Sequence, residues 1–524
     1  MRVFARRGVV ASPHYLATGA GVNVLRQGGT AVDAAIATNA VLAVVAPYAC
    51  GLGGDLMALV YNVEDRKLLG LNGSGRAPAA AQLERVRELA GDQMPAHGPL
   101  PVTVPGCVDA WGQLHKRFGR IPFSDLLADA VSYAEDGFPA TAEFAAAIEQ
   151  SAPFFHSATP AVEVFLAGGL PPREGQVLSQ PRLARTLGAI AAEGSAVFYR
   201  GAVAEELIRA LRDIGGIMTL ADLAEHEASW EEPLFAQYRD ITVCELPPNS
   251  QGIIALMMLK MLEHLPEEWI KEGEARYVHL LAEVARLAYA DRDACLTDPE
   301  HMTVTTADLL SERYARSRAT RIAEQAMARA PQGIPGDTVY ICVADAEGNL
   351  VSLNQSNWMG FGSGVMAGET GVMLHNRGAW FSLAPGHTNV IAPRKRTMHT
   401  LMPGMAFREG EPWLLFGTMG GSAQAQIHVQ LLTRIVDQDM AIDEALDAPR
   451  IDAVAGTDGT GRPVIAMEGR FPTEVVDELR RRGHAILTLP PYSSTMGHAH
   501  IIQISDGVYA GASDPRTHSL ALGF

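Results

Sequence analysis

The character of the chain changes abruptly at Asp337. Residues Thr338-Val-Tyr-Ile-Cys-Val-Ala344 form a run of β-branched, aromatic and small apolar side chains, the composition of a strand. Asp345-Ala-Glu-Gly-Asn349 follows as a hairpin-type turn, and Leu350-Val-Ser-Leu353 as the return strand. Just ahead of this hairpin, Pro331-Gln-Gly-Ile-Pro-Gly336 has the composition of an exposed linker. Further strands are expected at 372–374, 403–408, 413–417, 500–504 and 508–510, with helices at 424–436 and 472–482.

Upstream the pattern differs. Residues 9–11 read as a short strand, 16–25 and 31–45 as helices separated by Gly28-Gly29, and 56–61 as a strand after Gly51-Leu-Gly-Gly54. Residues 123–325 read as mostly helical, with helices at 183–192, 203–214, 253–262 and 275–294 and a polar helix at 314–330. Pro247-Pro248-Asn249-Ser250-Gln251-Gly252 is a turn cluster ahead of the third of these. The whole is an α/β chain with mainly hairpin-linked strands and no internal repeat.

Composition excludes several function classes. A hydrophobic fraction of 48% with 19% charged residues is that of a globular protein. The formal charge of −17 argues against nucleic acid or an anionic membrane surface as a partner. Five scattered cysteines without CxxC spacing form neither a disulfide framework nor a structural zinc site, so buried free thiols are expected. The basic start is followed by no apolar run of secretory or spanning length, which makes the cytoplasm the expected compartment. No phosphate loop, HExxH or GxSxG motif is present, and His498-Ala-His500 reads as structural, so neither a cofactor nor a metal is expected.

Asp337-Thr338 carries the chemical interest. A threonine opening a strand is ordinary in itself. The wider set of motifs changes its meaning: Gly8-Val-Val-Ala-Ser-Pro-His14, Arg26-Gln-Gly-Gly-Thr-Ala-Val-Asp33, Gly51-Leu-Gly-Gly54, Val104-Pro-Gly106, Leu246 to Gly252 and Asp298-Pro299. After Asp337-Thr338 come Gly362-Ser-Gly364, Gly368-Glu-Thr-Gly371, Gly420-Gly-Ser422, Ala448-Pro-Arg450, Gly483-His484 and Gly511-Ala-Ser-Asp-Pro-Arg516. In this order, from residue 8 to 516, the set resembles the γ-glutamyltransferase family of N-terminal-nucleophile hydrolases.

The resemblance implies a four-layer αββα sandwich. It also implies self-cleavage between Asp337 and Thr338, leaving a heavy chain of 1–337 and a light chain of 338–524. Thr338 would be the nucleophile, with its freed α-amine as base, because a hydroxyl alone is a poor nucleophile at neutral pH. Gly420 and Gly421 match the backbone oxyanion donors, although Gly-Gly also simply marks turns. Ser356 matches the position whose hydroxyl supports the nucleophile. Asp514 and Arg516 read as a structural ion pair.

The donor-binding positions depart from the family. Ser74 stands where an arginine is expected, with Arg76 two residues on. Trp358, Arg377 and Trp380 replace Asn, Gln and Asp, and His399-Thr400 replaces a serine pair. An ammonium-pairing aspartate cannot be imitated by tryptophan, and a buried unpaired charge costs on the order of 3–5 kcal/mol. Arg76 and Arg377 point instead to a carboxylate met by a planar fork. Asn72-Gly-Ser-Gly-Arg-Ala-Pro78 and His375-Asn-Arg-Gly-Ala379 resemble the branch containing the oxamate amidohydrolases. Three readings follow: a γ-glutamyl amidohydrolase or acyltransferase, an oxamate-type amidohydrolase, and an unprocessed pseudoenzyme that only binds. The expected partners are a small amide and the chain's own two fragments, and a homo-oligomer is left open.

Overall fold

The computed structural model describes residues 1–327, 333 and 336–524. Its centre is a pair of seven-stranded antiparallel sheets. The first runs Leu520–Gly523, Gly8–Ser12, Asp337–Asp345, Leu350–Trp358, Asp55–Asn62, Lys67–Gly73, Ser229–Glu231. The second runs Arg2–Ala5, Val508–Ser513, Ala499–Ser505, Glu411–Thr418, Gly404–Arg408, Ile241–Glu245, Leu234–Tyr238.

Side-chain alternation assigns the layers. Along Asp337–Asp345, Val339, Ile341 and Val343 point into a core shared with helices Tyr15–Arg26 and Ala31–Val45. Tyr340, Cys342 and Ala344 point the other way, onto Met405, Leu415 and Ile502 of the second sheet. That explains why the segment reads as an unbroken apolar run: a strand covered on both faces has no polar side to show. Helices Gly252–Glu263, Glu274–Cys295 and Gln424–Val436 cover the outer face of the second sheet. The order is helices, sheet, sheet, helices, the αββα sandwich that was expected.

Ala31–Val45 is buried along its whole length. Its small side chains let it lie against both the sheet and its helical neighbours. Thr30 caps it, accepting from the Asp33 amide while the Asp33 carboxylate accepts from the Thr30 amide. The helices at 424–436 and 473–481 and the hairpin after Asp337 form as the sequence predicts. All five cysteines are free, and four are buried.

Three expectations need correction. The middle of the chain is not only helical: Ser229–Glu231, Leu234–Tyr238 and Ile241–Glu245 are strands at the sheet edges. Residues 372–374 make only isolated bridges, with Gly53 and Met366. The helix expected at 314–330 is Glu312–Ala319. Its residues 328–330, and 331, 332, 334 and 335 of the linker, lie outside the described residues.

Gly417 of the second sheet lies against Tyr340 of the first, where an added Cβ would lie 2.2 Å from the ring. Gly417→Ala should therefore destabilise the fold by about 1–3 kcal/mol through overpacking. A lowered thermal midpoint would show this, and an unchanged midpoint would mean that the sheets give way at no cost.

Candidate active site

Thr338 is the second residue of its strand, just inside a β-bulge between Asp337 and Val339. It is buried at 4% exposure. Its Oγ lies 2.8 Å from the Asp337 carbonyl oxygen and 3.2 Å from the Ser356 Oγ. Ser356, on the neighbouring strand, lies 2.6 Å from the same carbonyl oxygen and accepts from the Trp358 amide at 2.7 Å. Two hydroxyls thus converge on the Asp337 carbonyl, in the peptide bond before Thr338. From this position Thr338 Oγ can reach the Asp337 carbonyl carbon by closing a five-membered ring, and Ser356 can donate to the oxygen as charge develops.

Gly420 lines the same cavity as Asp337 and Thr338. The Gly420-Gly421 turn follows strand Glu411–Thr418, with positive φ at both residues (138° and 53°), a conformation suited to glycine. Gln251 Nε2 donates to the Gly421 carbonyl at 3.1 Å, and the Tyr289 hydroxyl donates to that of Ser422. The cavity, of about 780 Å³, is walled by helix Ala142–Ser151, strand Ala485–Leu489 and residues 494–498. Arg450 donates to the Met496 and Gly497 carbonyls and pairs with Asp514, which also pairs with Arg516. The ion pair expected of Asp514 and Arg516 is thereby present, and it steadies one wall.

Most of the substrate-binding candidates gather away from that cavity. Arg377 is 1% exposed and spends one nitrogen on Thr400 Oγ at 3.1 Å. Its Nε and second terminal nitrogen have no partner. Its guanidinium lies 5.1 Å from the Trp358 ring centre, and Trp358 packs on Trp380 at 5.4 Å. His399 Nε2 bonds the Asp55 carboxylate at 3.0 Å. Burial first, then the nearby Arg377 charge, push the His399 imidazole down to about 3, leaving it neutral. Ser74 bonds Asn72 at 2.7 Å, within reach of Asn249. Arg76 stands apart from this group: it pairs with Asp298 at 3.2 Å and donates to the Arg394 carbonyl.

Asp55 was not singled out by sequence reasoning. Its buried carboxylate is shared by His399, His375 and the Gly75 amide. Burial opposes its ionisation, but the two imidazoles hold it well below the usual carboxylate range. The only signal for it was its place directly after Gly51-Leu-Gly-Gly54. Among the described residues, one group has metal-ligand proximity: His279, Glu283 and His484. Arg286 donates to both Glu283 and His484, so a cation already sits there.

The family model for gamma-glutamyltranspeptidase matches residues 17–524. The chain belongs to the γ-glutamyltranspeptidase family. It is 37% identical over 99% of its length to the glutathione hydrolase-like YwrD proenzyme of Bacillus subtilis, covering 99% of that protein. It is 36% identical to the oxamate amidohydrolase proenzyme of Klebsiella pneumoniae, covering 99% of this chain and 98% of that one. The crystal structure of cephalosporin acylase from Bacillus halodurans superposes with a TM-score of 0.93 at 38% identity, covering 100% of this chain and 97% of that one. This γ-glutamyltranspeptidase-family chain is thus an N-terminal-nucleophile hydrolase by descent and by fold. Among its described residues, no helix is long and apolar enough to cross a membrane.

Burial first, then Glu143, push the Asp337 carboxyl up to about 7. An acid raised in the fold binds more protons there than in the unfolded chain, so it lowers stability as pH rises from its ordinary value to about 7. In an uncuttable Thr338→Ala background, Asp337→Asn should stabilise the protein at pH 8 by on the order of 2–4 kcal/mol, with the gain vanishing towards pH 4. Thermal midpoints across that range check this; a difference independent of pH would contradict it.

Proposed function

We propose that the chain cuts its own Asp337–Thr338 bond, separating 1–337 from 338–524. It then acts as an N-terminal threonine amidohydrolase on a small amide whose acyl half carries a carboxylate and no α-amino group. The observation that carries the first half is the convergence of the Thr338 and Ser356 hydroxyls on the Asp337 carbonyl.

In maturation, Thr338 Oγ bonds to the Asp337 carbonyl carbon while the C–N bond breaks, giving an ester and a free Thr338 amine. Water then hydrolyses the ester and leaves Asp337 as a carboxylate terminus. In turnover, the α-amine, with a reference pKa of about 7.7–8.0, takes the proton from Oγ as it attacks the amide. The Gly420 and Gly421 amides would supply the oxyanion donors, each such donor being worth about 2.7–4 kcal/mol. The proton passes to the leaving amine, and water resolves the acyl-enzyme to a carboxylic acid.

The acyl half is read from Arg377. A buried guanidinium with two unpartnered nitrogens is a binding site for an anion with two acceptor oxygens. Trp358 and Trp380 limit its size. Gly336 lies against Trp358, its added Cβ only 2.7 Å from the ring, so release of 336–337 would open this side. A γ-glutamyl donor would also bring an α-ammonium, and the nearby Asp55 carboxylate is already engaged by His375, His399 and the Gly75 amide.

Two measurements test this reading. Ser356→Ala should slow appearance of the fragments about 10²–10³-fold, the cost of one oxyanion donor; an unchanged rate would remove Ser356 from maturation. The mature protein should hydrolyse monoamides of short dicarboxylic acids in preference to γ-glutamyl-p-nitroanilide. Arg377→Met should raise KM for the former about 10- to 100-fold, from the loss of a charge-assisted pair, with a smaller effect on kcat. Faster turnover of the γ-glutamyl anilide would overturn the donor assignment.

A further inference from the structure

The amide has a second half, and the cavity beside Thr338 has chemistry that bears on it. Arg377, Trp358 and Trp380 are absent from its lining, whereas Thr338 and Gly420 are part of it. A volume of about 780 Å³ far exceeds what an ammonia leaving group needs. Much of its wall is apolar: Tyr48, Met359, Met419, Met496, Leu487 and Leu489.

The charges among its described residues are unbalanced. Glu143, Asp337 and Asp452 contribute carboxyl groups, and Arg516 the one guanidinium. That guanidinium is consumed elsewhere: its nitrogens bond Glu468, Asp514 and the Leu446 and Ala448 carbonyls. Asp452 is held by Gln426 and the Val454 amide. Of the lining histidines, burial keeps His14, at about 4, and His498 neutral, and His518 completes the titratable set. Glu143, half-buried on helix Ala142–Ser151, accepts a single hydrogen bond from Thr517 Oγ at 3.0 Å and retains acceptor capacity. It lines the same cavity as Asp337 and Thr338, on either side of the bond proposed for cutting.

We infer that this cavity is the subsite for the amine half of the amide, and that it takes an amine with an apolar body and a cationic group, recognised by Glu143. The assignment rests on the proposed function in that Thr338 supplies the nucleophile. It adds that the two halves of the substrate are sorted by charge, the acyl half to Arg377 and the amine half to Glu143. A carboxylate-bearing amine is disfavoured on the Glu143 side by like-charge repulsion in a partly desolvated space.

The test needs no turnover. In the full-length Thr338→Ala chain, titration calorimetry would compare benzylamine, benzyl alcohol and benzoate, which share a ring and differ in charge. Benzylamine should bind roughly tenfold more tightly than benzyl alcohol, equivalent to about 1.4 kcal/mol, and benzoate most weakly. Glu143→Gln, which keeps an acceptor for Thr517, should abolish the preference for benzylamine and leave benzyl alcohol unchanged. Ala147→Phe, on the same wall, should weaken both. Benzoate binding as well as benzylamine, a preference untouched by Glu143→Gln, or binding indifferent to Ala147→Phe would each overturn the assignment. These outcomes are independent of whether the wild-type chain cuts itself: charge-selective amine binding in a protein that never matures would sink the self-cleaving amidohydrolase reading and leave only the recognition of a cationic group by Glu143 standing.

Discussion

The arrangement at Thr338 depends on one strand being held from every side. Asp337–Asp345 pairs with Gly8–Ser12 and with Leu350–Trp358, and its faces are buried under a helical layer and under the second sheet. A residue at the start of such a strand is held in place, because a one-residue slip in register would exchange its two buried faces. The ladder runs from Val339 to Ala344 against Gln355 to Leu350, and only the Asp337–Trp358 pair lies on the far side of the bond marked for cutting. Cutting there removes one pairing and leaves the fold's central hairpin in place. Such a cut would free the site to react without loosening what positions it.

Charge does the remaining sorting. Burying an ion without partners is expensive, and the interior here is accordingly full of satisfied ones: Asp55 with two histidines, Arg516 with Glu468 and Asp514. Arg377 departs from that rule, held only by Thr400 and the face of Trp358. Burial lowers its pKa to about 9, which still leaves it cationic at neutral pH. On the cavity side the sign is reversed: the half-buried Glu143 carboxylate lines the cavity and is engaged only by Thr517 Oγ. The two departures have a common explanation if the substrate brings the missing charges.

Much of this was legible in the sequence, and the reasons for the rest are physical. Helices such as Gln424–Val436 and the hairpin after Asp337 carry strong local signals, period 3.6 in one and a Gly-containing turn in the other. The hairpin Leu234–Tyr238 with Ile241–Glu245 does not, since its turn is Arg239-Asp240, with Arg239 itself at φ 51° and no glycine to announce it. Ordered motifs led to Thr338, Ser356 and Gly420, which the structure brings to one place. Asp55, Asn249 and Gln251 were missed as site residues because their role comes from contacts across hundreds of residues, such as Asp55 with His399 and Gln251 with Gly421. Arg76 and Arg377 looked equivalent in sequence; only their partners, Asp298 for one and none for two nitrogens of the other, separate them.

The central claim is that Thr338 becomes an N-terminal nucleophile by cutting the bond before it. Intact mass spectrometry of the purified wild-type protein beside Thr338→Ala addresses it most directly. Two fragments are expected in the wild type, one ending at Asp337 and one beginning at Thr338, and a single unbroken chain in the variant. A wild-type chain that stays whole after long incubation, or fragments that persist in Thr338→Ala, would contradict it.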